Sequence, residues 1–284
     1  MKRKLVQLGP TSLAMTLPKK WIDKFHLTQG KEVDVEEKDK ILVVSTEATG
    51  PKETTNFDFS GLTPTIMRLM LSAAYKQGLP DITLTNVNKQ QKKDIEKAIN
   101  ILVGYERLDQ GPKSVRLVDV SRPAEELIDK AQQQMLWKIL NMIDEIIAGI
   151  HPEDLQALDL EINRVSWFLQ RTIAVYYARS QELFLMFEEA GILEALGDGL
   201  KDYNKETRTK PKAHKVLLGE IKQAIEDLQS FRSKPNMERM LSTRDSIKKI
   251  KKKMKAHPLA QVVQKVDDLY EAVVALKIND LSTS

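Results

Sequence analysis

The chain has 284 residues, 42% hydrophobic and 30% charged, the balance of a globular protein with room for two or three cores rather than of a disordered or collagen-like one. It has no cysteine, and its four histidines (His26, His151, His214, His257) are isolated along the sequence, which excludes disulfides, thiol catalysis and zinc-hydrolase spacings. The net charge of +4 divides into +5 over residues 1–20, −1 over 21–120, −8 over 121–200 and +8 over 201–284, an asymmetry that bears on partners more than on fold.

The first 50 residues predict strand, strand, short helix, strand, strand. Leu5, Val6 and Leu8 lie in a β-rich run that ends at Gly9-Pro10, and Leu13 to Leu17 form a second run that stops at Pro18. Pro18 suits the first turn of a helix, in which Trp21 and Phe25 share a face, and Gly30 ends that segment. Val33 and Val35 alternate with acids as a half-buried strand, and Ile41 to Val44 follow after a Lys38-Asp39-Lys40 turn. So small a unit cannot bury much surface by itself, and an obligate dimer is expected.

Thr46 to Pro51 reads as a linker. Residues 51–120 then predict a small α/β module. Thr63-Pro64 opens a helix with Ile66, Met67, Leu69, Met70, Leu71 and Ala74 inward, ending near Gly78. A strand at Asp81–Thr85, a helix at 89–103 closed by Gly104, and a strand through Val115, Leu117 and Val118 complete it. It carries no glycine-rich phosphate loop.

From Ser121 the period becomes helical, and residues 121–284 predict an antiparallel bundle. Pro123, Glu125 and Glu126 mark a helix start, and Ile128, Ala131, Met135, Ile139, Met142 and Ile146 recur every three or four residues up to Gly149. A second helix opens at Pro152-Glu153-Asp154 and runs to about Glu189, until Gly191, Gly197 and Gly199 break it. Further helices fit 211–232, 236–256 and 259–279, divided by Pro235 and Pro258.

The most pointed constellation is Lys2, Arg3, Lys4, Lys19 and Lys20. In a dimer it brings ten cations to one face, enough to hold several DNA phosphates; charge alone favours the blander reading of a solvated, lysine-rich edge. The stretches Arg3-Lys4-Leu5-Val6-Gln7-Leu8-Gly9, Thr11 to Trp21 (with Thr16-Leu17-Pro18-Lys19-Lys20-Trp21) and Leu27-Thr28-Gln29-Gly30-Lys31-Glu32-Val33 resemble the AbrB/SpoVT/MazE swapped-hairpin family, with Lys31 where that family usually has an acid. The resemblance covers about 46 residues. It implies a β-barrel dimer of interleaved hairpins on double-stranded DNA, with Arg3, Lys4 and Lys19 as contacts and Lys2 and Lys20 behind them.

Farther on, Glu161-Ile162-Asn163-Arg164 with Arg171 one face along is similar to the acidic-Ile-Asp-Arg signature of PhoU-type phosphate regulators, and Leu102-Val103-Gly104-Tyr105-Glu106 fits their Leu-Ile-Gly-Phe/Leu-Glu pattern. The order of hairpin domain, α/β spacer and helical bundle resembles archaeal phosphate-uptake regulators. Family bundles often hold a divalent or iron-type metal on carboxylates four residues apart. Here Asp159 is followed by Asn163 and Glu220 by Ala224, which leaves Asp159, Glu161 and Glu220 as remaining ligand candidates of a degraded site; no cofactor is expected.

The densest basic run, Lys248 to Lys255, reads best as an exposed helix face beneath which Ile247, Ile250 and Met254 pack. A second nucleic-acid or membrane contact and an electrostatic partner for the acidic helices are the other two readings. Trp21, Trp137 and Trp167 fall in apolar stripes and are expected in cores. No Ser-His-Asp set, P-loop or dinucleotide fingerprint is present, so no enzyme is expected. No apolar run of about 18 residues exists and Met1 to Lys4 lack a signal-peptide core, so the expectation is a cytoplasmic protein without membrane insertion. The sequence thus predicts a multidomain α+β protein divided at 1–50, 51–120 and 121–284: a homodimeric DNA-binding regulator, with phosphate uptake as the implied pathway and a phosphate-transport or signalling protein as a further partner. The alternative is an adaptor that binds no DNA and regulates a transporter or kinase through its helices.

Overall fold

The computed structural model describes residues 2–38, 41–46, 54–121, 123–177, 182–207, 214–254 and 257–281. It divides into two units, residues 1–53 and 54–284.

In the first unit β1 (Val6–Gln7) and β2 (Leu13–Ala14) pair antiparallel, Val6 opposite Ala14 and Gln7 opposite Leu13. Gly9, at φ +97°, turns the chain between them. Helix α1 (Lys19–Lys24) follows. Pro18 stands just ahead of it in extended geometry, and its carbonyl accepts from the Trp21 and Ile22 amides at 2.9 and 3.0 Å. Strands β3 (Asp34–Lys38) and β4 (Ile41–Ser45) form a second antiparallel pair, with Val35 opposite Val44. The expected turn at Lys38-Asp39-Lys40 falls largely outside the described residues, as does the linker beyond Thr46.

The second unit opens with a four-stranded sheet. Strand β5 (Thr55–Asp58) runs parallel to β6 (Asp81–Thr85), β8 (Ser114–Asp119) lies antiparallel to β6, and β7 (Tyr105–Gly111) hairpins onto β8, giving the order β5-β6-β8-β7. Helix α2 (Pro64–Lys76) is capped by the Thr63 hydroxyl, and α3 (Lys89–Ile99) by a reciprocal Asn88–Gln91 capping box. Met67, Leu71, Ala74 and Tyr75 turn one face of α2 into the sheet core. Ile66 and Leu69, expected inward, are 42% and 62% exposed because they lie off that stripe. Helix α3 stops at Ile99 rather than at 103, and tight turns carry the chain over Ala98–Leu102 into β7.

The helical part comprises α4 (Leu127–Ala148), α5 (Pro152–Tyr177), α6 (Glu182–Glu206), α7 (Lys215–Ser233), α8 (Met237–Lys252) and α9 (Ala260–Leu281). One continuous core joins them, and α5 packs on both α4 and α6 while α6 packs on α9. The predicted stripe of α4 is buried as expected, and Gly149 ends that helix in the left-handed conformation. The long second helix is corrected: α5 ends at Tyr177, and Gly191, Gly197 and Gly199 lie inside α6 instead of breaking it. Their role is close approach between helices. A methyl group on Gly197 would meet Ile162 Cδ1 at 3.1 Å, and one on Gly199 would meet Val262 Cγ2 at 3.5 Å.

Of the tryptophans, Trp167 is 7% exposed, but it leaves α5 to pack into the core of the sheet module. Its indole N–H donates to Glu194 Oε1 at 3.2 Å, and Arg68 and Lys76 sit over its ring. Trp137 contradicts the expectation of burial, at 63% exposed, because it lies one position off the buried stripe of α4. The basic run on α8 packs Ile247, Ile250 and Met254 inward. Its lysines pair with carboxylates of α9 and α7: Lys251 with Asp267, and Lys253 with Glu220 at 2.6 Å. Lys222–Asp144 and Arg232–Glu189, at 2.7 and 2.8 Å, do tie the basic end to the acidic helices. Among the described residues no helix is long and apolar enough to cross a membrane.

Candidate nucleic-acid interface

Lys2, Arg3 and Lys4 lead into β1, and Lys19 and Lys20 open α1. All five are exposed, and none has an ion-pair partner among the described residues. The β1–β2 ladder pairs Val6 with Ala14 and Gln7 with Leu13; Lys2–Lys4 precede the first strand, and Lys19 and Lys20 follow the second. Asp23 is the sole acid in residues 1–31, while Glu32, Asp34, Glu36 and Glu37 follow together on or beside β3. The charge of the unit is polarised along its chain.

The apolar side chains of this unit are the other half of the site. Leu5, Val6, Leu8, Leu13, Met15, Phe25, Val35 and Leu42 are between 42% and 69% exposed, and none of the residues 2–35 is buried. Trp21 and Phe25 stack at 5.6 Å between centroids, and Lys24 lies over the Phe25 ring, but this is surface packing. A folded unit that leaves its large aliphatic side chains in water gains nothing from the hydrophobic effect until a second surface covers them.

The three metal-ligand candidates are not brought together by the described residues. Each carboxylate already holds a lysine: Asp159 with Lys201 at 2.7 Å, Glu220 with Lys253, and the exposed Glu161 with Lys138. Asp159 and Asn163 are buried side by side on α5, 3.5 Å apart, while Glu161 turns outward. Among the described residues no three ligating side chains converge. Burial pushes the Asp159 carboxyl above the ordinary aspartate range; burial works against the Lys201 ammonium too, but Asp159 and Asp198 together hold it above the lysine range.

Sequence reasoning did not foresee a second constellation. Arg171 on α5 is fully buried, with its guanidinium over the rings of Tyr75 and Tyr105, 4.9 and 5.0 Å from their centroids, where the two rings meet edge-on. It pairs with Asp119 on β8 and donates to the Val103 carbonyl at 3.0 Å, where the Tyr75 hydroxyl also donates at 2.9 Å. Burial works against the guanidinium, but Asp119 and the Tyr75 hydroxyl outweigh it and raise its pKa; burial pushes both tyrosines up as well. Gly104 lies against this group at φ +86°, where an added methyl would meet Ser121 Oγ at 2.2 Å. The two segments singled out by similarity to PhoU-type regulators, Leu102–Glu106 and Glu161–Arg171, therefore meet at one joint between helix and sheet. Their motif character was the only sequence signal for it.

No curated protein and no solved structure matches the chain. Residues 6–51 match the family described as antidote-toxin recognition MazE, bacterial antitoxin, and the N-terminal segment of paired strands and short helix is a MazE/AbrB-like domain.

Proposed function

We propose that the protein is a homodimeric transcription regulator whose N-terminal domains bind double-stranded DNA through Arg3, Lys4 and Lys19, with Lys2 and Lys20 adding to the field. One observation carries this: the β1–β2 pair of a MazE-like N-terminal unit, whose large apolar side chains are largely uncovered in a single chain, is flanked in sequence by five exposed cations with no ion-pair partner among the described residues. The uncovered face calls for a second copy, and two copies double the cationic surface. The helices of residues 121–284 then act as the sensing or partner-binding part, and regulation of phosphate uptake in the cytoplasm is the pathway suggested by similarity. The convergence of both PhoU-like segments on Arg171 supports that part of the proposal. No catalytic role is assigned.

The test is a gel shift with duplex DNA at moderate salt. Arg3→Ala combined with Lys4→Ala is expected to abolish the shift while leaving the thermal unfolding of the protein unchanged. Unchanged affinity in that variant would sink the proposal and favour an adaptor that binds no DNA.

A further inference from the structure

Between α4 and α5, with Val103 of the sheet module also in its lining, lies an open cavity of about 430 Å³, within the size range of small-molecule sites. Its apolar wall comes from Leu127 and Ala131 on α4 and from Val165 and Phe168 on α5. Its polar edge holds Lys130, Lys138 and Arg164 against a single acid, Glu161. Glu161 is spent on Lys138. Lys130 and Arg164 are exposed and have no ion-pair partner among the described residues.

That concentration runs against the local charge. Residues 121–200 contain six basic and fourteen acidic side chains, yet three of the six basic ones border this one cavity. Cations gathered around an apolar hollow repel one another and are relieved by an anion. An inorganic anion would satisfy the charge and leave the apolar wall hydrated, whereas a neutral lipid would do the reverse. We propose that this cavity binds an amphiphilic anion, a carboxylate or phosphate head on an apolar body, with the head at Arg164 and Lys130 and the body against Val165 and Phe168. The Val103 wall belongs to the residue whose carbonyl Arg171 holds, so the occupant touches the joint between helices and sheet. This site stands on the cavity alone and does not depend on DNA binding.

The test uses the full-length protein and 8-anilinonaphthalene-1-sulfonate, an apolar sulfonate that brightens when bound. Saturable binding is expected, displaced by decanoate or decyl phosphate and by neither decanol nor inorganic phosphate at comparable concentration. The better displacer identifies the head group. Arg164→Glu with Lys130→Glu should weaken binding about tenfold, and Glu161→Gln, which frees Lys138, should tighten it about threefold. The second variant alters an exposed side chain and reads out even if the first fails to fold. Displacement by inorganic phosphate as effective as by decanoate would overturn the amphiphile assignment. Binding unmoved or weakened by Glu161→Gln would overturn the site.

Discussion

Gly104 and Gly149 have similar backbone angles, φ +86° and +95°, but different surroundings. Around Gly149 nothing lies within 4 Å of an added methyl; around Gly104 the methyl would collide with Ser121 Oγ and crowd the Arg171 guanidinium at 3.3 Å. Gly149→Ala should therefore cost only the left-handed backbone penalty, about 1 kcal/mol. Gly104→Ala adds overpacking beside a buried ion pair and should cost about 3 kcal/mol or more. Urea unfolding of both variants checks this; equal losses would mean that the Arg171 joint tolerates displacement. The sequence marked Gly104 as a stop signal, but it could not show what the stop positions. Arg171 and Val103 are 68 residues apart, and no local period links them. Trp137 shows the opposite failure. Its hydrophobicity invited burial, but a single position along α4 turns it from the stripe to the solvent.

At the scale of elements, helix periodicity and most of the strands were legible, but two strands were not. Six of the nine buried positions of α4 could be read directly, whereas β5 and β7 were missed because four residues of alternating burial and a strand built on charged residues give little pattern. Glycine misled in α6, since a residue that usually ends a helix here lets two helices touch. Gly197→Ala would gain helix propensity, about 1 kcal/mol, but it must push back the buried Ile162. Combining it with Ile162→Val should recover stability beyond the sum of the single changes, a coupling that a double-mutant cycle of unfolding free energies measures; strict additivity would contradict the packing role. Near the start of α9, His257 stacks edge-on to His214 at 4.4 Å, and its Nδ1 accepts the Leu259 amide. Partial burial, and then the neighbouring imidazole, hold His257 below the ordinary histidine pKa. The unfolded chain thus binds the proton more readily, so stability is complete above about pH 6.5 and falls as pH drops through the folded value. His257→Asn keeps an acceptor for Leu259 and should flatten this slope between about pH 7.5 and pH 5.5 in urea midpoints; an unchanged slope would place the loss elsewhere.

At the scale of the whole molecule, two units meet folding differently. Residues 54–284 bury two cores, one in the sheet module and one among the helices, which Trp167 and Arg171 tie together. In the first unit none of the residues 2–35 is buried, many large aliphatic side chains are exposed, and the five cations Lys2, Arg3, Lys4, Lys19 and Lys20 have no ion-pair partner among the described residues. That contrast was anticipated by length and composition, because a 50-residue unit with one short helix has too little apolar surface facing inward. The cations were legible as charge, and the MazE-type match over residues 6–51 takes in Lys19 and Lys20 and begins just after Lys2, Arg3 and Lys4. The central claim is that a dimer of these units neutralises DNA phosphates. It is tested most directly by the salt dependence of duplex-DNA affinity, measured by fluorescence anisotropy. If six or more of the ten cations contact phosphates, log K should fall against log salt with a slope of about −5 or steeper. Arg3→Ala with Lys19→Ala, which removes four cations per dimer, should reduce that slope by about three to four. A slope near zero, or one that the double variant leaves unchanged, would contradict the account.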